Sequence, residues 1–155
     1  MSTAWQTREV AFPGDCVAAV SAFCADNEFA WLDSAAGNGD GGGPALVCVG
    51  PIAIVEQIRG RPAELRVAGR LVESGATGWA LREAVWRRLP RWPETPLPMV
   101  PGFVGYAGFE SAGELERLPV PPPDDFGLPT LRWALYDRGI VLDAQAGRAT
   151  AVAAP

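Results

Sequence analysis

At 155 residues, 48% of them apolar, the chain has the size and hydrophobic content of a single domain with a real core. A net charge of −5 with scattered basic residues excludes a general nucleic-acid binder and a protein held on an anionic membrane surface. There is no histidine, and all 13 basic residues are arginine, so His–Ser and His–Cys dyads, lysine Schiff bases, a Walker lysine and imidazole metal sites are all excluded.

The N-terminal residues MSTAWQTREV have neither the basic start nor the apolar core of a signal peptide. No apolar run approaches the ~20 residues of a membrane helix. Arg8 to Phe12 reads as a short strand. A helix is predicted from Asp15, a good N-cap type, with Cys16, Val20, Phe23 and Cys24 on one buried face and Asp26 and Asn27 at its end. Cys16, Cys24 and Cys48 form no C-x-x-C pair and are odd in number, which reads as reduced, buried thiols of a cytoplasmic protein. Phe29 to Leu32 is a short apolar strand that closes on Asp33 and Ser34.

A glycine-rich loop follows from Gly37 to Pro44. Ala45 to Ile58 predicts two strand segments with a bend at Gly50-Pro51. Glu64 to Val72 reads as one further strand. A second main helix is predicted from Thr77 to Leu89, with Thr77 as N-cap, an inward row of Leu81, Val85 and Leu89, and a Glu83–Arg87 surface pair; Pro90 and Pro93 stop it. Phe103 to Phe109 is a strand in which glycines alternate with aromatics, and Val120 to Asp125 is an extended proline-rich connector. Leu131 to Leu142 reads as a strand with Leu131, Trp133 and Leu135 on one face, followed by a turn at Gly147 and a hairpin partner from Ala149 to Ala153. This mixture of strands with two main helices predicts an α+β fold with mixed or antiparallel sheets. An apolar strand at the end of the chain, with no polar tail after it, predicts an unpaired sheet edge there.

Most chemistry-bearing patterns have a plain explanation. Gly37, Gly39 and Gly42 have dinucleotide-loop spacing, but a proline and a strand-like run follow instead of a helix, so a flexible loop is the better reading. The carboxylate pairs Glu114/Glu116 and Asp124/Asp125 lie in polar or proline-rich segments and read as solvated surface, with no further metal ligand beside them. The six tryptophans read as core or interface rather than as a platform for bases. Two segments carry more. In FAWLDSA, residues 29–35, Asp33 and Ser34 offer an acceptor and a donor to a small polar ligand, although a cap or turn explains the same residues. In PMVPGFVGYAGFE, residues 98–110, glycines thin a strand and imply close backbone approach or a sharp twist.

These segments, in this order, resemble the N-terminal domain of the chorismate-utilising synthases, the family of component I of aminodeoxychorismate synthase and of anthranilate synthase. FAWLDSA is similar to the family's early LDSA or LLES segment. PGFVGYAGFE is similar to GG-x-V-G-Y-x-G-Y-E. Residues 116–143, ERLPVPPPDDFGLPTLRWALYDRGIVLD, are similar to the stretch that follows it. GGGPALVCVG stands where the family has G-R-Y-S, and Pro101 and Phe109 replace a glycine and a tyrosine.

The resemblance implies that residues 1–155 are an N-terminal domain without catalytic residues of its own. It implies a ligand pocket of the tryptophan-binding kind at Asp33 and Ser34, and a structural motif of Gly102, Gly105, Tyr106, Gly108 and Glu110. No cofactor is expected in this chain; Mg²⁺ and chorismate belong to a C-terminal catalytic half, in the same chain or a separate one. A glutamine amidotransferase subunit is the other implied partner. LDSA and DDFGLP…LYD are closer to aminodeoxychorismate synthase, in the folate and p-aminobenzoate pathway, than to anthranilate synthase, in the tryptophan pathway. A free-standing binding or regulatory domain without catalysis is the non-enzymatic alternative.

Overall fold

Short runs rich in apolar and β-branched residues, separated by glycine-bearing turns, build the described residues mostly into antiparallel strands. The computed structural model describes residues 4–21, 28–33, 43–75, 77–119 and 126–155. The chain divides into two compact units, one of residues 1–51, 91–102 and 136–155 and one of residues 52–90 and 103–135.

The first unit holds β1 (Gln6–Val10), α1 (Cys16–Ser21), β2 (Phe29–Leu32), β3 (Ala45–Val49), β9 (Arg138–Asp143) and β10 (Arg148–Ala153). Its five-stranded sheet has the order β1-β10-β9-β3-β2. Asp15 caps α1 as predicted, its Oδ1 accepting the Ala18 N–H at 3.0 Å. Val20, 2% exposed, packs with Ala45, Val47, Leu142 and Ala149, and Phe12, Cys16, Phe29 and Trp31 close around them. Trp5 fastens residues 91–102 to this unit: its indole N–H donates to the Pro93 carbonyl at 2.8 Å, and its ring meets Trp92 edge-on at 5.2 Å.

The second unit holds β4 (Ala53–Gln57), β5 (Glu64–Val67), β6 (Arg70–Ser74), α2 (Gly78–Arg88), β7 (Phe103–Ala107) and β8 (Leu131–Leu135), with a 3-10 helix at Phe109–Glu114. The sheet order is β6-β5-β4-β8-β7. Thr77 caps α2, accepting from the Ala80 N–H at 3.2 Å, and Arg87 and Arg88 occupy the last turn, where the helix dipole favours cations. Leu81 and Val85 are buried, and Glu83 pairs with Arg87 at 3.0 Å. Gln57 ties helix to sheet, its Oε1 accepting the Gly78 N–H at 2.7 Å.

Four expectations are corrected. Two main helices are not present among the described residues: α2 has 11 residues, whereas α1 has six, and the predicted contributions of Phe23 and Cys24 lie outside the described residues. Glu64 to Val72 is not one strand but part of the β5–β6 hairpin, which turns at Ala68 and Gly69, both at positive φ. Leu131 to Leu142 is likewise two strands, β8 and β9, belonging to different sheets. The last strand is not an edge: β10 lies between β1 and β9, hydrogen-bonded on both sides. The sequence shows the apolar strand but not that β1 returns to cover it.

Candidate functional site

Asp33 follows β2 directly and is exposed, while Ser34 lies outside the described residues. Gly102 belongs to the first unit, where its carbonyl accepts the Tyr136 N–H at 2.9 Å. Gly105, Tyr106, Gly108 and Glu110 belong to the second. The two cavities described below are lined by other residues.

The glycines of this motif do different work. A Cβ on Gly105 would fall on the Arg132 carbonyl oxygen and 2.8 Å from the Trp133 Cα, so only glycine lets β7 lie against β8 there. Gly108 holds the end of the same ladder, its N–H donating to the Thr130 carbonyl at 2.7 Å while its own carbonyl accepts the hydroxyl of buried Ser111 at 2.8 Å. A Cβ at Gly108 would sit 2.9 Å from Glu110 Oε2, whereas one at Gly102 would meet nothing within 4 Å. Tyr106 is 43% exposed.

Sequence reasoning did not assemble an aromatic cluster in the second unit. The Arg82 guanidinium lies 5.7 Å from the Phe103 ring centroid and 5.5 Å from that of Trp133. Trp79 meets Trp133 at 6.2 Å, and Trp86 meets Phe103 at the same distance. The α2 residues involved, Trp79, Arg82 and Trp86, are spaced at i, i+3 and i+7; that spacing was the available signal. Trp79 Nε1, Arg82 Nε and Trp133 Nε1 are buried donors without an acceptor among the described residues.

Reactive groups are muted. Burial pushes the Cys48 thiol up from 9.0 to about 11, so it stays protonated at neutral pH and is a poor nucleophile. The Asp137 carboxylate, hydrogen-bonded to Arg138 at 2.8 and 3.1 Å, holds that guanidinium above its ordinary value. Among the described residues no three His, Cys, Asp or Glu cluster as metal ligands. No described helix is long and apolar enough to cross a membrane.

Two cavities are lined by described residues of a single unit each. One, of 440 Å³, opens over the β1-β10-β9-β3 part of the first sheet. The other, of 300 Å³, lies on the second unit between Glu56, Arg61, Glu64 and Arg66. Of its polar groups, Arg66 pairs with Glu64 at 2.5 Å, and Glu56 pairs with Arg132 of the neighbouring strand at 2.6 Å.

No family model matches the chain. Over 65 residues it is 45% identical to component 1 of anthranilate synthase from Thermus thermophilus, an alignment covering 42% of this chain. The matched stretch amounts to 14% of that protein's length. The chain is thus related to the N-terminal domains of the chorismate-utilising synthases, the resemblance expected from its sequence.

Proposed function

We propose that this chain is the non-catalytic N-terminal domain of a chorismate-aminating synthase, and that the parent enzyme is of the anthranilate synthase component I type. The 45% identity to an anthranilate synthase component 1 carries this reading. Aminodeoxychorismate synthase component I, the reading favoured by LDSA and DDFGLP…LYD, is the second. In either case the chain supports a C-terminal half that binds chorismate and Mg²⁺, and a glutamine amidotransferase supplies the ammonia; amination expels a chorismate hydroxyl as water, and the anthranilate reaction then also eliminates pyruvate. Asp33 and Ser34 would line a small-ligand pocket in the assembled enzyme.

The test is reconstitution. The chain is combined with the catalytic half of a related synthase, chorismate, Mg²⁺ and ammonium, and the products are separated by chromatography. Chain-dependent turnover with the catalytic half of an anthranilate synthase, and none with that of an aminodeoxychorismate synthase, is the expected result, and the reverse preference selects the second reading. No chain-dependent turnover to either product overturns both and favours a free-standing binding domain.

A further inference from the structure

Three rows of side chains cross the first sheet on one face, each fixed by strand register and by the two-residue repeat of a strand. The first row is Ala45, Leu142, Ala149 and Val10. The second is Val47, Ile140, Ala151 and Arg8. The third includes Arg138, Ala153 and Gln6.

Strand β10 therefore presents only alanines to this face, at 149, 151 and 153, between longer side chains on β9 and β1. The result is a trough. At Ala149, 1% exposed, it is filled by Val20 of α1 together with Phe12 and Cys16. At Ala151 and Ala153 it is open and forms the 440 Å³ cavity. That volume falls in the lower part of the ~300–1,000 Å³ range of small-molecule sites, and an apolar floor with few polar groups is their usual make-up.

The charges at the rim define the ligand further. Both Arg8 and Arg138 line the cavity. Arg138 gives its Nε and Nη2 to Asp137, so that pair is locally neutral. Arg8 has no ion-pair partner among the described residues. One exposed guanidinium without a carboxylate partner among the described residues, beside an apolar trough, matches a ligand with one carboxylate and an apolar body.

We propose that the open end of this trough binds a small apolar monocarboxylate, its body along Val47, Ile140 and Ala151 and its carboxylate on the Arg8 guanidinium. This does not rest on the synthase reading, and failure here leaves that reading intact.

The test titrates octanoate and 3-phenylpropanoate separately into the full chain by isothermal titration calorimetry, with octylamine as the charge-reversed control. Saturable one-to-one binding of at least one carboxylate, with none of octylamine, is expected; the tighter of the two tells an aliphatic from an aromatic body. Arg8→Glu weakens binding by about tenfold or more. Ala151→Leu, which raises the floor, abolishes it. Arg8 is exposed on an edge strand, so Arg8→Glu keeps its far-UV circular dichroism and melting temperature and carries the test alone should Ala151→Leu fail to fold. The proposal is overturned if neither carboxylate saturates, if octylamine binds equally, or if folded Arg8→Glu binds like the unsubstituted chain.

Discussion

Gly105 lies directly opposite Trp133 in the β7–β8 ladder, and a methyl group on Gly105 would occupy the carbonyl oxygen of Arg132 next to it. The pairing of the two strands depends on the missing side chain. Gly105→Ala is expected to destabilise the chain by about 2–3 kcal/mol through overpacking against backbone that has nowhere to move. Gly102→Ala, with open space around it, is expected to change stability by less than about 0.5 kcal/mol. Urea unfolding of both variants checks the contrast, and equal costs would remove the close approach as the explanation.

The start of α2 rests on two acceptors, Thr77 Oγ1 for the Ala80 N–H and Gln57 Oε1 for the Gly78 N–H. Thr77→Ala is expected to cost about 1 kcal/mol, the usual worth of an N-cap. Gln57→Leu leaves the amide of buried Gly78 without its acceptor and is expected to cost about 1–3 kcal/mol. Thermal melts give both values. A Gln57→Leu variant as stable as the unsubstituted chain would mean that the helix end finds another acceptor.

Cys48 makes stability depend on alkaline pH. Its folded value of about 11 stands above the ordinary 9.0, so between these values the unfolded chain releases a proton that the folded chain keeps. The contribution is fully present below pH 9 and is lost as pH rises towards 11, by on the order of 2 kcal/mol. Cys48→Ala should flatten the decline in urea midpoint across this window. At pH 8, labelling of Cys48 by a thiol reagent should require unfolding and accelerate with urea.

Arg82, between Phe103 and Trp133, contributes cation–π attraction as well as the packing of its stem. Arg82→Ala is expected to destabilise the chain by about 1 kcal/mol and to shift tryptophan emission. Arg82→Lys should recover part of the stability. A lysine variant no better than alanine would assign the effect to shape alone.

Much of the fold was legible where local chemistry and tertiary structure agree. Gly50, at positive φ before a proline, marked the break between β3 and β4, and Thr77 marked the start of α2. The Ala68-Gly69 turn escaped notice because alanine in the left-handed region is not a local preference; strand pairing on both sides imposes it. The break at Tyr136-Asp137 was hidden for a related reason: no glycine or proline punctuates it, and the chain simply leaves one sheet for the other. The place of β10 was invisible because nothing in its residues names β1, more than a hundred positions earlier, as its neighbour. The open trough was hidden with it, since alternating alanines become a groove only once the strands on either side are known.

The position of β10 also sets an order of events during synthesis. Every strand of the second sheet lies between residues 53 and 135, so its partners can meet before the chain is finished. The first sheet must wait: until Arg148–Ala153 emerges, β1 has no neighbour and β9 is open on one side. A nascent chain that has emerged from the ribosome only as far as residue 140 is therefore expected to hold one formed sheet and one set of unclosed apolar strands. It is at that stage, rather than in the finished fold, that the protein is most exposed to aggregation and to capture by chaperones.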